Sequence, residues 1–206
     1  MKKPKKEEKP LSGAQDAYEW LQILIVALVT IILVFTFVGR ITPVVGESML
    51  PTLHEGDVML IRDIGYTDPQ PGDIVVLTKE FDAARGPIVK RIIAVEGQTV
   101  DIDYQTGTVY VDGEALDEPY LNEPMEEPWY EDLTSVTVPE GSVFVMGDNR
   151  ASSADSRYHQ DDGDHGLVPI DNVVGVGLMR YWPLNRMSFL SSHHDVFKDV
   201  PAGKAQ

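Results

Sequence analysis

Three short stretches of this sequence contain residue types that can do chemistry. The first, residues 45–53 (VGESMLPTL), encloses Ser48 between glycine, methionine and proline, which favours a constrained turn. A hydroxyl in such a turn can act as a nucleophile when a base lies close by, or it can simply cap the turn. No Gly-x-Ser-x-Gly elbow is formed, because Leu50 stands where the second glycine would be.

The second stretch, residues 87–97 (PIVKRIIAVEG), predicts a strand with a lysine among apolar neighbours. Strand alternation places Lys90 on the same face as Ile88 and Ile92, and Arg91 on the opposite face. Burial on such a face would lower the pKa of the Lys90 amine until it could serve as a neutral general base. An edge-strand lysine that reaches solvent is the alternative interpretation.

The third stretch, residues 143–157 (VFVMGDNRASSADSR), runs from a hydrophobic strand into a dense polar loop. Asp155 and Arg157 can pair within this loop, and Ser153 can orient a neighbouring group. A solvated Gly-Asp-Asn turn is the alternative.

The rest of the 206-residue chain divides by charge and hydropathy. Residues 21–38 contain no charged side chain and would span about 27 Å as a helix, close to the thickness of a bilayer core. Residues 1–19 hold five lysines against four acids, whereas the chain after residue 38 has 12 basic and 29 acidic residues, a net charge of −17. We therefore predict a cytoplasmic Lys-rich tail (1–19), a transmembrane helix (20–38) and an extracytoplasmic domain (39–190). A cleavable signal sequence is less favoured, because no small-x-small site follows the apolar stretch.

The segment after residue 40 predicts a mainly β domain. Alternating or β-branched runs separated by turn signals predict strands over 57–62, 73–77, 88–95, 108–111, 142–146 and 173–181. Residues 117–132 are rich in acids and contain three prolines, which predicts a solvated loop. Residues 191–206 are polar and are expected to form a flexible tail.

Composition excludes several classes of function. The net charge of −16 and pI near 4.5 argue against nucleic-acid binding, which needs basic surface. The absence of cysteine excludes disulfides, a thiol nucleophile and thiolate metal sites.

Taken together and in this order, the motifs resemble those of bacterial type I signal peptidases. Gly-x-Ser-Met-x-Pro-Thr follows the apolar span, a Gly-Asp-Ile-Val-Val strand (72–76) and a Val-Lys-Arg-Ile-Ile-Ala strand come next, and Gly-Asp-Asn-Arg-x-x-Ser-x-Asp-Ser-Arg completes the set. The resemblance covers roughly residues 20–183. Gly46 and the single span resemble the Gram-positive type. The fold implied is a β-rich catalytic domain, similar to the SOS-repressor proteases, behind one transmembrane helix.

The resemblance also implies a role for each site residue. Ser48 would be the nucleophile and Lys90 the general base of a Ser–Lys dyad, and Ser153 would orient the lysine amine. The residues that hold the scaffold of the site would be Asp148, Arg150, Asp155 and Arg157. No cofactor and no metal are implied. The Ser48 backbone N–H is the natural oxyanion donor. Gly46 occupies the position of a second, hydroxyl donor in some members, so that side-chain donor is absent here.

The implied function is a membrane-bound serine endopeptidase that removes signal peptides from exported preproteins, cutting after small residues at −1 and −3. Its partners would be those preproteins and the lipid bilayer, near the secretion translocon, with no nucleic acid. A related Ser–Lys protease that cuts itself, and a catalytically silent β-rich binding module, are the alternatives. Residues 158–165 (YHQDDGDH) interrupt the family pattern; a solvated acidic loop is favoured there over a surface cation site.

Overall fold

The computed structural model describes residues 13–37, 39–79, 81, 86–125, 133–158 and 166–201. The chain divides into two units, Met1–Gly39 and Arg40–Gln206. The first unit contains a single described helix, α1 (Gly13–Phe37). The second is built mainly of β-strands, which confirms the predicted fold class.

Helix α1 begins seven residues before the predicted transmembrane helix of 20–38. The apolar run marks where a bilayer could be crossed, but residues 13–19 contain good helix formers and no proline, so the helix continues through them. Gln15–Leu33 is long and apolar enough to cross a membrane, with a mean hydropathy of 1.8, and none of it is buried. The all-round exposure of its apolar side chains suits a membrane anchor.

Twelve strands are found in the described part of the second unit. They are β1 (Arg40–Pro43), β2 (Val58–Arg62), β3 (Ile74–Leu77), β4 (Ile88–Val95), β5 (Thr99–Asp103), β6 (Thr108–Val111), β7 (Glu114–Ala115), β8 (Ser135–Thr137), β9 (Ser142–Met146), β10 (Val168–Pro169), β11 (Val173–Trp182) and β12 (Ser188–Phe189). The six predicted strands all appear, each within one residue at either end. The other six were not predicted; most have four residues or fewer, too short for alternation to be read.

The large sheet has the strand order β1-β2-β11-β3-β4-β9-β10, with β12 beside β11, and its neighbours are antiparallel. Strand β4 lies between β3 and β9 and is buried along most of its length. Its pairing with β9 shifts register between Ile92 and Ala94, so the alternation expected along this strand is interrupted there. Ile93 and Ala94 accordingly belong to the same hydrophobic cluster.

The small sheet has the order β7-β6-β5-β8 and packs one face on the large sheet. Val100, Ile102, Val109 and Val111 are buried at alternate positions of β5 and β6. They share a core with residues of β4 and β9. The small sheet therefore supports the strand that carries Lys90 and the strand that leads into the polar loop.

The prediction of a flexible tail from residue 191 does not match the structure as far as residue 201. Residues 190–201, here called the C-terminal strap, pack across β4. Phe197 is buried in the shared core, the Ser192 carbonyl lies against Gly72, and Gln98 Nε2 donates to the Pro201 carbonyl at 3.0 Å. The strap is polar in composition, but its backbone carbonyls accept hydrogen bonds from Arg91 and Gln98, and Phe197 packs in the hydrophobic core. Residues 202–206 lie outside the described part of the chain.

Candidate active site

The Ser48 loop, residues 44–50, leaves the end of β1 and holds Ser48 at the surface. Val44 N donates to Asp57 O at 2.8 Å, and Leu50 N closes a turn on Glu47 O at 3.1 Å. Met49 and Leu53 are buried beneath it, while Ser48 stays partly exposed. Apolar anchors on one side thus present the hydroxyl on the other.

The loop after β9 holds this turn by two hydrogen bonds from Asn149. Asn149 N donates to Ser48 O at 2.9 Å, and Asn149 Nδ2 donates to Glu47 O at 3.1 Å. A Cβ added to Gly147 would overlap the Ser48 carbonyl oxygen and the Ser153 hydroxyl. Only glycine therefore fits at 147 while these two serines keep their positions.

Strand β4 brings Lys90 to Ser48: Lys90 Nζ and Ser48 Oγ lie 2.7 Å apart. Lys90 is only 3% exposed, and this burial lowers its pKa from 10.5 to about 8. The nearby Arg157 guanidinium lowers it further, while the carboxylates of Asp155 and Asp148 partly oppose the change. Lowering the pKa toward neutrality raises the fraction of neutral amine near pH 7 far above that of an ordinary lysine, as a general base requires.

Asp155 lies at the centre of a buried network beside the dyad. Its carboxylate accepts from Ser153 Oγ at 2.7 Å, from Gly147 N at 3.0 Å and from Arg157 Nε at 2.8 Å. Burial by itself would raise the pKa of Asp155, but the Arg157 guanidinium, its hydrogen bonds and the Lys90 charge hold it below its usual range. Asp155 is thus a fixed anion. The role of Ser153 in orienting the Lys90 amine stays a prediction.

Asp148 joins the segment after the Ser48 loop to β4. Arg91 donates to both carboxylate oxygens, Nε to Oδ1 at 2.9 Å and Nη2 to Oδ2 at 2.7 Å, and Thr52 Oγ1 donates to Oδ2 at 2.5 Å. Arg91 is fully buried and also donates from Nη1 to the carbonyls of Gly72 and Ser191, so the C-terminal strap completes its set of acceptors. The sequence had shown Arg91 only as a strand residue. Its position next to Lys90 was the one signal.

Arg150 is held by Glu118, a residue that the sequence had assigned to a solvated loop, and Tyr120 of the same segment bonds to Glu118. Arg150 Nη1 donates to Glu118 Oε2 at 2.8 Å and its Nη2 to Glu118 Oε1, while Tyr120 Oη donates to that same oxygen at 2.6 Å. The Glu118 side chain is therefore buried against the loop after β9, and Tyr120 is buried beside it. Acid-rich composition gave no sign of this, since a buried partner and a solvated acid look the same in sequence.

A cleft of about 200 Å³ opens beside the dyad. Its polar lining includes Ser48, Lys90 and Ser152, and its apolar lining includes Val44, Val45, Met49, Phe81, Ile88, Val89 and Ala154. A larger cavity of about 580 Å³ lies between residues 67–71 and the C-terminal strap, and none of the predicted site residues lines it. The smaller cleft is therefore the one in which a peptide could meet the Ser48 hydroxyl.

The site residues predicted from sequence come together in one place. Ser48 and Lys90 are in contact, and the residues of the loop after β9 surround them. Across the described ranges, no group of three His, Asp or Glu side chains is placed to hold a metal ion. Residues 159–165, which contain most of the His- and Asp-rich insertion, lie outside those ranges.

Comparison with known proteins gives consistent matches. Residues 17–182 match the family described as signal peptidase, peptidase S26. The probable signal peptidase I-1 of Synechocystis sp. is 39% identical over 193 residues, covering 89% of this chain and 90% of that protein. The signal peptidase I of Bacillus licheniformis is 34% identical, covering 88% and 97%. A crystal structure of a signal peptidase I from Enterococcus faecalis is 34% identical, with a TM-score of 0.41, covering 53% of this chain and 97% of that one.

Proposed function

Since the chain belongs to the signal peptidase family, peptidase S26, and is a serine peptidase that removes signal peptides from preproteins, we propose that Ser48 is its nucleophile and Lys90 its general base. The observation that carries this assignment is the 2.7 Å separation of Ser48 Oγ and the buried Lys90 Nζ. A hydroxyl nucleophile needs a base at this distance, and a desolvated amine can supply one.

In the first half of the reaction the neutral Lys90 amine takes the Ser48 proton as Oγ attacks the scissile carbonyl carbon. Collapse of the tetrahedral intermediate breaks the C–N bond, and the Lys90 ammonium gives its proton to the leaving amine. A water molecule, deprotonated by Lys90, then hydrolyses the ester on Ser48 and regenerates the dyad.

The developing oxyanion needs hydrogen-bond donors. Among the described residues no hydrogen bond uses the Ser48 backbone N–H, so it is free to be one of them. Gly46 supplies no hydroxyl, and its φ of +84° is a conformation in which glycine is favoured. The second donor is then a water or another protein group.

The cleft accounts for cleavage after small residues. Strand β4 pairs with β9 from Arg91 onward. Among the described residues, 88–90 pair only with β3, which leaves one edge for an extended peptide. In such a peptide the side chains at −1 and −3 point the same way. Both would enter a small apolar cleft, which favours short side chains at both positions.

We further propose that the enzyme is a single-pass membrane protein with its N terminus in the cytoplasm. The apolar α1 and the lysines of residues 1–19 support this orientation. The catalytic unit would then lie on the extracytoplasmic face, close to the translocon from which its preprotein substrates emerge. Large apolar side chains exposed on the β11–β12 hairpin, including Trp182, Leu184, Met187 and Phe189, support direct contact with lipid.

The dyad is tested by preprotein cleavage with the full chain in phospholipid vesicles. Ser48→Ala and Lys90→Ala should each abolish turnover, because either change removes a group that makes or breaks a bond. Ser135→Ala and Lys198→Ala change the same residue types at exposed positions away from the cleft and should leave turnover intact. Near-normal turnover by either dyad variant would disprove the assignment.

The same preparations discriminate a catalytically silent binding module. A reagent that acylates active serines should label the wild-type chain at Ser48 and leave the Ser48→Ala variant unlabelled. Absence of both labelling and cleavage in the wild-type chain would favour a binding module.

A further inference from the structure

Residues 117–121, here called the acidic clasp, connect the small sheet to the active site. They lie between β7 and β8 in the chain, shortly after β7. Asp117 is exposed, whereas the Glu118 side chain is only 5% exposed and Tyr120 is buried. The clasp thus sends two of its polar side chains into the protein.

The Glu118 carboxylate meets the Arg150 guanidinium with both oxygens. Arg150 is itself buried, so this carboxylate is the charge that compensates it. The pair is joined by two hydrogen bonds, which fixes the guanidinium in orientation as well as position. With Nη1 and Nη2 held in this way, Nε points back along the loop and donates to Gly147 O at 3.1 Å.

Gly147 is the point at which this contact reaches the dyad. Its N–H donates to Asp155, and its Cα packs so closely on the Ser48 carbonyl that a methyl group would not fit between them. A displacement of Gly147 would therefore be transmitted to the backbone of Ser48 and to the Asp155 carboxylate, whose charge acts on Lys90.

Tyr120 adds a second connection. Its hydroxyl donates to Glu118, and its ring lies under the Arg91 guanidinium at 4.0 Å from the ring centroid. Arg91 in turn holds Asp148, which accepts from Thr52 on the segment after the nucleophile. The clasp therefore contacts both arginines that orient the loop after β9.

We propose that Glu118 is a positioning residue for the Ser48–Lys90 reaction, acting through Arg150 and Gly147, with Tyr120 joining it to Arg91. The proposal rests on the dyad assignment above. Removing the Glu118 charge would leave the buried Arg150 uncompensated, and its guanidinium would turn toward other acceptors. Gly147 O would lose its donor, and the alignment of Ser48 with Lys90 would loosen.

The test compares Glu118→Gln with Asp117→Asn, using the full chain in vesicles and a preprotein substrate. Both variants lose one negative charge from the same segment, but only Glu118 contacts the arginine. Glu118→Gln should lower kcat by roughly 10- to 100-fold with KM changed less than twofold, because misplacement by about 1 Å can have an effect of this size. Asp117→Asn should match the wild-type chain.

A merely structural role would lower the melting temperature of Glu118→Gln but leave kcat unchanged when both proteins are assayed well below their melting temperatures. A kcat within twofold of Asp117→Asn would therefore overturn the proposal. If Glu118→Gln does not fold, Glu118→Asp decides. It keeps the charge but is one methylene shorter, so a several-fold fall in kcat supports positioning and an unchanged kcat overturns it.

Ser48→Ala in the same assay separates this proposal from the dyad assignment. If Ser48→Ala turns over substrate, the dyad assignment fails and the clasp proposal with it. If Ser48→Ala is inactive while Glu118→Gln keeps the kcat of Asp117→Asn, only the clasp proposal fails.

Discussion

The surroundings of the dyad and the small sheet lie in the same unit of the protein, yet they differ in whether their charged side chains are buried. Around the dyad the charged groups are inside: Arg91, Asp155 and Arg157 are 0% exposed. In the small sheet the buried positions are aliphatic, and acids such as Asp112 and Glu114 face the solvent.

The difference separates what holds the active site in shape from what holds the fold together. Buried ion pairs add little net stability, because desolvation of the charges offsets their attraction, but they fix geometry through directional hydrogen bonds. Aliphatic burial stabilises by about 25 cal/mol per Å² and is not directional. We therefore expect changes around the dyad to affect turnover and changes in the small sheet to affect stability.

The largest effect on turnover outside the dyad is expected for Gly147→Ala. The added methyl group would overlap the Ser48 carbonyl and the Ser153 hydroxyl, so the nucleophile must move. We expect kcat to fall by about 100-fold or more in the preprotein cleavage assay.

Gly177→Ala is the matched control for this change. Its methyl group would meet chiefly the end of the flexible Leu190 side chain, at 2.9 Å, which can move aside. Its turnover should stay near the wild-type value. Equal turnover in the two variants would show that the loop after β9 tolerates movement and that close packing at Gly147 is not needed for turnover.

Lys90→Met should abolish turnover and yet make the protein more stable at pH 7. The pKa of Lys90 is about 8 in the folded protein and near 10.5 when unfolded, so below pH 8 the folded state buries a charged amine. Between pH 8 and 10.5 the unfolded chain binds more protons, and the stability of the wild-type protein therefore rises with pH. The difference of 2.5 between the two pKa values corresponds to about 3 kcal/mol, at about 1.36 kcal/mol per unit.

Urea unfolding of both chains at pH 7 to 10 measures this directly. The stability advantage of Lys90→Met should approach 3 kcal/mol, as an order of magnitude, at pH 7 and shrink toward pH 10. In parallel, kcat/KM of the wild-type enzyme should rise about tenfold per pH unit at low pH and level off at high pH, with the midpoint of this transition near pH 8. A pH-independent stability difference would mean that the amine is not desolvated.

The smallest effect on turnover is expected in the small sheet. Val109→Ala removes buried methyl groups from the shared core and should lower the unfolding free energy by about 2 kcal/mol, while kcat stays unchanged at temperatures where both proteins are folded. Glu114→Gln, on the exposed strand β7, should alter neither quantity. A fall in kcat for folded Val109→Ala would show that the small sheet also tunes the site.

Sequence patterns predicted the parts of the molecule whose structure depends on local periodicity. Alternation and turn signals predicted six strands to within a residue at either end. The order of the motifs indicated one site containing Ser48, Lys90 and the loop after β9, and these residues lie together in the structure. The sequence did not predict the burial of Glu118, Tyr120 or the C-terminal strap, because this burial depends on partners far away in the chain. An acid beside a buried arginine cannot be told from an acid in water until the arginine is located.

The C-terminal strap also bears on the order in which the enzyme becomes active during its own synthesis. Ser48, Lys90 and the loop after β9 are made first, but Arg91 obtains its last carbonyl acceptor only from Ser191, and Phe197 completes the shared core later still. A ribosome that has passed the dyad has therefore not yet supplied the residues that secure it. We therefore expect a chain that has been made only as far as the loop after β9 to contain the proposed dyad but to gain peptidase activity only once the strap has been added.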